Sequence, residues 1–158
     1  MAEDSAHVPL STSYQLRYWL PPVLWMAAIF GFSTDAFSAG HTGSTLAAIL
    51  RFLNPAVSPE FISGANFLVR KSAHFTAYAT LAALWLRAFR AGSRACWQWR
   101  WAFQAFLITA VYALLDEYHQ SFTRQRTGSI YDSLLDMAGA ATLLLACWGW
   151  SLRRRERG

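Results

Sequence analysis

Ala102–Leu115 reads AFQAFLITAVYALL, and this stretch decides the fold. Wound at about 3.6 residues per turn, it is apolar on every face and carries no charge. A helix on the surface of a soluble protein keeps one polar face, and this one has none to offer. Its surroundings must be the interior of a protein or the interior of a bilayer.

Three further stretches have the same character: Leu16–Phe32, Phe75–Phe89 and Leu134–Trp150. Only Arg17, Arg87 and Asp136 interrupt them, each near an end, where the long stems of the two arginines let the guanidinium reach an interface. A bilayer core of roughly 30 Å takes about 20 residues of helix, and these runs hold about 15 to 17. Each is therefore expected to extend by a turn or so into flanking polar sequence, the third as far as Gln120. The fold expected is all-α, an integral membrane four-helix bundle with spans near 16–32, 75–89, 101–120 and 134–150. The 158 residues hold one such domain, 16–152, between a polar tail, 1–15, and a basic tail, 153–158.

Composition agrees without deciding. Charged residues are 15% of the chain, against about a quarter in soluble proteins, with eight Trp and eleven Phe. A mean hydropathy of +0.20 would fit a greasy soluble protein as well. What separates the two is that charges lie in clusters with nearly uncharged stretches between them. A soluble four-helix bundle is disfavoured because the amphipathic pattern is missing. A cleavable leader ending near Ala36-Phe37-Ser38 is disfavoured by Pro21-Pro22 and by the single preceding Arg17.

With four spans, Arg17, Arg87, Arg90, Arg94, Arg100, Arg153, Arg154, Arg155 and Arg157 fall on one side of the membrane. Arg51, Arg70, Lys71, Arg124 and Arg126 fall on the other. The positive-inside rule then puts both termini in the cytoplasm of a bacterial inner membrane. Trp19, Trp97, Trp99, Trp101, Trp148 and Trp150 lie toward the same face, as an interfacial aromatic belt does. The net charge of +5 reads as a topology signal and as attraction to anionic membrane lipid, not as a nucleic-acid surface. Cys96 and Cys147 fall toward the reducing side, so no disulfide is expected.

The long first loop contains two stretches with helical signals. Ser44–Leu53 is amphipathic enough to lie on the outer membrane surface and ends at Asn54-Pro55. A second begins at Ser58-Pro59-Glu60, a Ser N-cap with Pro at the first helical position, and runs through Phe67 toward Arg70 and the second span.

Ionisable residues gather on the outer side. Lys71, His74 and Tyr78 share one helical face; Asp116, Glu117, His119 and Gln120 continue the third span; Asp132 and Asp136 stand four apart on the fourth. Charged groups at bilayer depth are costly unless they face inward and pair. Arg70, Lys71, Arg124 and Arg126 balance Asp116, Glu117, Asp132 and Asp136 in sign, as a buried network requires. Asp116 and Glu117 with His119 could supply metal ligands, but no H-E-x-x-H spacing occurs, and no metal or other cofactor is expected. Gly139-Ala140-Ala141 reads as a close helix-packing surface.

These residues resemble a known family. K-S-A-H-F-T-A-Y at Lys71–Tyr78 is similar to the K-x-x-H-x-x-x-Y signature of VanZ-like proteins. Asp116–Gly139 resembles that family's D-E-x-H-Q…R…D…G core, and Gly31-Phe32-Ser33 its F-S motif. The matching positions are Ser33, Lys71, His74, Tyr78, Asp116, Glu117, His119, Gln120, Arg126, Asp132 and Gly139; Arg124-Gln125 stands where many members have Pro-Gly. The resemblance implies a small bacterial membrane protein, in a family named for a member linked to teicoplanin resistance.

Three functions suit these residues. In the first, the outward cluster binds a lipid headgroup or a lipid-linked cell-wall precursor, with Lys71 and Arg126 on its phosphate. The second is an enzyme on such a substrate, with His74, Glu117 and His119 as candidate catalytic groups and Arg126 stabilising charge. The third, a proton-coupled carrier, is disfavoured because four short spans leave little room for alternating access.

Overall fold

The computed structural model describes residues 12–33, 39–93, 95–122 and 129–156. Five helices and no strands make up the described residues: α1 (Thr12–Ser33), α2 (Ala39–Leu53), α3 (Pro59–Arg90), α4 (Trp99–Gln120) and α5 (Ile130–Arg155). The all-α expectation holds, and the four long helices coincide with the four apolar stretches. At about 1.5 Å per residue, α1 and α4 with 22 residues each reach roughly 33 Å, and α5 with 26 roughly 39 Å.

The first loop differs in one respect from two short helices. α2 is free-standing, but the second stretch is the beginning of α3, a single helix of 32 residues. Ser58 caps it, its Oγ accepting from the Phe61 N–H at 3.2 Å, with Pro59 where no N–H is needed. Nothing in Arg70-Lys71 breaks a helix; those residues interrupt the apolar run and not the backbone. α5 starts in the same way, with Ser129 Oγ accepting from Tyr131 N–H.

α3 is the central element, packing on α5 most extensively, then on α4, α1 and α2. Chain direction alternates among α1, α3 and α4, and α5 runs parallel to α3. The core is built from Tyr78, Leu81, Ala82 and Leu86 of α3, Ala105 and Ala113 of α4, and Ala140 and Leu144 of α5. Alanines at the contacts let backbones approach closely. Among the bonds that tie α1 to the rest, Trp25 Nε1–H donates to Ala77 O at 2.9 Å, and Tyr112 O–H to Met26 O at 2.6 Å. One end carries aromatic contacts, Trp19 on Phe89 and Trp99 on Trp148, with ring centroids 5.5 and 5.2 Å apart. The other end carries Ser33, Asp116, Glu117, Gln120 and Asp136, all buried.

The expectation of four membrane spans is met only in part. Among the described residues, one helix, Ile130–Arg154 within α5, is long and apolar enough to cross a membrane by length and composition. α1 and α4 spend positions on Trp, Tyr, Pro and Gln, which lower mean hydropathy. Large apolar side chains nevertheless point outward along both, among them Leu16, Leu20, Val23 and Leu24 of α1 and Phe103, Leu107, Val111 and Leu115 of α4.

Gly139 is closely packed: a Cβ there would lie 2.3 Å from the Phe75 carbonyl oxygen, a backbone atom that cannot swing aside. Gly139→Ala is predicted to destabilise the protein by about 1–3 kcal/mol, seen as a lower thermal-unfolding midpoint in detergent. Gly64→Ala, with nothing within 4 Å of its Cβ position, should leave the midpoint unchanged or raise it.

Candidate functional site

α3 and α5 run parallel and in register, which sets their facing side chains against each other. Lys71 Nζ donates to Asp132 Oδ1. One turn further in, His74 Nδ1 lies 3.6 Å from Asp136 Oδ1. One turn beyond that comes the Gly139 contact with Phe75. α4 closes the site from the side. Tyr78 O–H donates to Asp116 Oδ2 at 2.9 Å, and Gln120 Nε2–H donates to the same oxygen at 2.9 Å. Gln120 also reaches Ser33 Oγ of α1 at 3.4 Å, so this network spans α1, α3 and α4. Glu117, the next residue along α4, faces α5 instead: its Oε2 accepts from the backbone N–H of Ser129 at 2.8 Å.

The cluster is buried to a degree unusual for charged residues: Asp116 is 3% exposed, Glu117 5% and Asp136 0%. The sign balance expected from sequence is realised in one ion pair among the described residues, Lys71 with Asp132, itself about a third exposed. Arg124 and Arg126 lie outside the described residues. Asp116 Oδ1, Glu117 Oε1, both oxygens of Asp136 and Ser133 Oγ are buried without a hydrogen-bond partner. Buried polar atoms are normally paired, so a concentration of five at one place makes this end of the bundle the candidate site.

Each predicted position among the described residues can now be placed. Ser33, Lys71, His74, Tyr78, Asp116, Glu117, Gln120, Asp132 and Asp136 come together at this end of the bundle. His119 is turned away from the Asp116 network onto α1, its ring centroid 4.6 Å from that of Phe30. Three donors capable of holding a metal ion do converge, but they are His74, Glu117 and Asp136, one from each of three helices. Asp116 and Glu117 with His119 do not form such a set. No linear spacing joins His74, Glu117 and Asp136, so a search for zinc-type motifs could not find them. Sequence reading also missed Ser133, which is fully buried. Its signal was available: it stands three residues before Asp136, on the same helical face.

Beside the cluster, α1 and α3 leave an open groove of about 680 Å³. Trp25, Ile29, Phe32 and Val69 give it apolar walls, and Ser33, Arg70 and His74 line its polar end. A cavity of this size suits a small molecule or part of a lipid.

The fold and site define a helical bundle with a buried His–carboxylate cluster at one end, opening onto an apolar groove. A model of the VanZ/LLP1 family matches residues 18–152, nearly the whole chain, and the protein belongs to that family. No curated protein and no solved structure matches the chain.

Tyr78→Phe removes one of two donors to a buried carboxylate oxygen. We expect it to lower stability by about 1–3 kcal/mol in thermal unfolding. Tyr112→Phe, whose lost bond is to a half-buried backbone carbonyl, should cost less.

Proposed function

We propose that this protein is a multi-pass protein of the bacterial inner membrane that binds a lipid or lipid-linked envelope precursor. The apolar part of the ligand lies in the groove between α1 and α3, and its headgroup meets the polar cluster. The observation that carries this reading is the polarity gradient along the groove. Trp25 and Ile29 stand toward the middle of the helices, and Ser33, Arg70 and His74 at the end where the cluster lies. An amphipathic ligand matches that gradient. Arg70 gives a phosphate or carboxylate headgroup a cationic partner without desolvating it fully.

Membrane placement is supported by the apolar side chains facing outward on α1, α4 and α5 and by helix lengths of at least roughly 33 Å. Basic residues concentrated at the aromatic end favour both termini in the cytoplasm and, with them, the cluster at the outer face. There, wall precursors and glycopeptide antibiotics meet the membrane, and the role proposed is in envelope function or glycopeptide (teicoplanin) tolerance.

A second reading, an enzyme acting on the headgroup, is favoured by one feature: an imidazole and two buried carboxylates at the groove's polar end. Arg126 would then stabilise charge developing on the substrate.

Ala28 lines the groove, and Ala28→Phe should fill it. The wild type is predicted to retain lipid through detergent purification, read by mass spectrometry of an organic extract, and the variant to lose most of it. Equal lipid content in both would remove the groove from consideration. Orientation has its own check on Cys96, an exposed residue. A membrane-impermeant maleimide added to intact cells should leave Cys96 unlabelled and label it once the cells are lysed.

A further inference from the structure

His74 of α3, Glu117 of α4 and Asp136 of α5 bring one ligand atom each to within 4.8 Å of one another. We propose that these three residues bind a divalent transition-metal ion of the zinc or manganese type.

The carboxylates supply the first reason. Both oxygens of Asp136 and Oε1 of Glu117 are buried and have no hydrogen-bond partner, although an ionised carboxylate can only accept. One cation placed among them gives each carboxylate a partner for one oxygen. The spacing is the second reason. At 3.6 Å, His74 Nδ1 and Asp136 Oδ1 are too far apart for a hydrogen bond. Two ligands bound at about 2.0–2.1 Å in tetrahedral geometry stand roughly 3.4 Å apart, close to what is found.

Outer partners hold the ligands in place. Ser129 N–H fixes Glu117 Oε2 at 2.8 Å and leaves Oε1 for the ion. Competing groups are engaged elsewhere: Lys71 is on Asp132, and Asp116 Oδ2 takes Tyr78 and Gln120. His74 lines the groove, which provides a route of entry. An imidazole beside two carboxylates suits zinc or manganese, whereas calcium and magnesium sites are built from oxygen alone. Three protein ligands leave a coordination position for water or an anionic group, as in catalytic zinc sites and unlike closed structural ones. The inference rests on donor geometry and does not depend on what occupies the groove.

Untagged full-length protein in detergent, stripped with a chelator, is titrated with zinc chloride and with manganese chloride. Metal retained after desalting is measured by mass spectrometry, and thermal unfolding is followed in parallel. We expect one equivalent of one of these ions per chain and a higher unfolding midpoint, reversed by chelator. His74→Ala and Asp136→Asn should each weaken binding by about tenfold or more. Asp136→Asn replaces a buried charge with a neutral amide, so the metal-free variant should be at least as stable as the metal-free wild type. Its loss of metal then cannot come from unfolding. Glu60→Gln, at the exposed start of α3, should keep the wild-type stoichiometry. Failure of the wild type to bind either ion, or unchanged binding by the His74→Ala, Asp136→Asn double variant, overturns the proposal.

Discussion

The parallel register of α3 and α5 is the constraint on which the rest depends, and it is set by the contact of Gly139 with the Phe75 carbonyl oxygen. Any side chain at Gly139 would push the two backbones apart, because a Cβ there would meet a main-chain atom at 2.3 Å. With glycine, the helices touch along their backbones, and side chains one and two turns toward the polar end must meet as well. Asp136 therefore falls on His74, and Asp132 on Lys71. Since helical neighbours on one face stand three or four residues apart, the spacing of Lys71 to His74 matches that of Asp132 to Asp136. A packing residue thus acts at a distance on the site, by fixing the separation across which its acids and bases face each other.

The electrostatics of the cluster divide into a satisfied part and an unsatisfied part. Lys71 and Asp132 are each about a third exposed, so their pair contributes at most about 1 kcal/mol once solvent screening is counted. Asp116 takes two donors on one oxygen, and it binds α1, α3 and α4 together through Tyr78 and Gln120. Glu117 and Asp136 are different. Their carboxylate oxygens come within 4.8 Å of each other at a buried point. With both ionised, and an effective dielectric of about 20, the repulsion is roughly 3.5 kcal/mol. Folding alone gains nothing from such an arrangement, since Leu or Met at these positions would fill the same space without the cost.

Much of this was legible in the sequence, for reasons that differ from residue to residue. Helices α1, α4 and α5 followed from apolar runs almost free of charge. The faces of α3 and α5 followed from spacing, so Lys71, His74 and Tyr78, and Asp132 with Asp136, were found before any contact was known. The continuity of α3 was harder to see, because Arg70-Lys71 looks like a boundary when hydropathy is the guide, yet both are good helix formers. What could not be read was the rotation of α4. Asp116 and Glu117 are adjacent and point roughly 100° apart, and both enter the site only because α3 and α5 flank α4's last turn on two sides. The same rotation carries His119 onto Phe30. The groove was equally out of reach, since it depends on how far α1 stands from α3.

Hydropathy and structure weigh the membrane question differently, and the difference has a physical origin. A window average penalises Trp, Tyr, Pro and Gln wherever they point, so of the long helices α5 alone passes on length and composition. The surroundings of the bundle, however, meet only its outward face. On α1 that face holds Leu16, Leu20, Val23 and Leu24, while Trp25 turns inward and spends its N–H on Ala77 O. On α4 it holds Phe103, Leu107, Val111 and Leu115, while Tyr112 turns inward to Met26 O. Trp25 and Tyr112, which lower the average, are hydrogen-bonded inside the bundle, and much of what remains outside is apolar surface. Part of the low average of α1 and α4 therefore belongs to the contacts that hold α1 against α3 and α4, made by Trp25 and Tyr112.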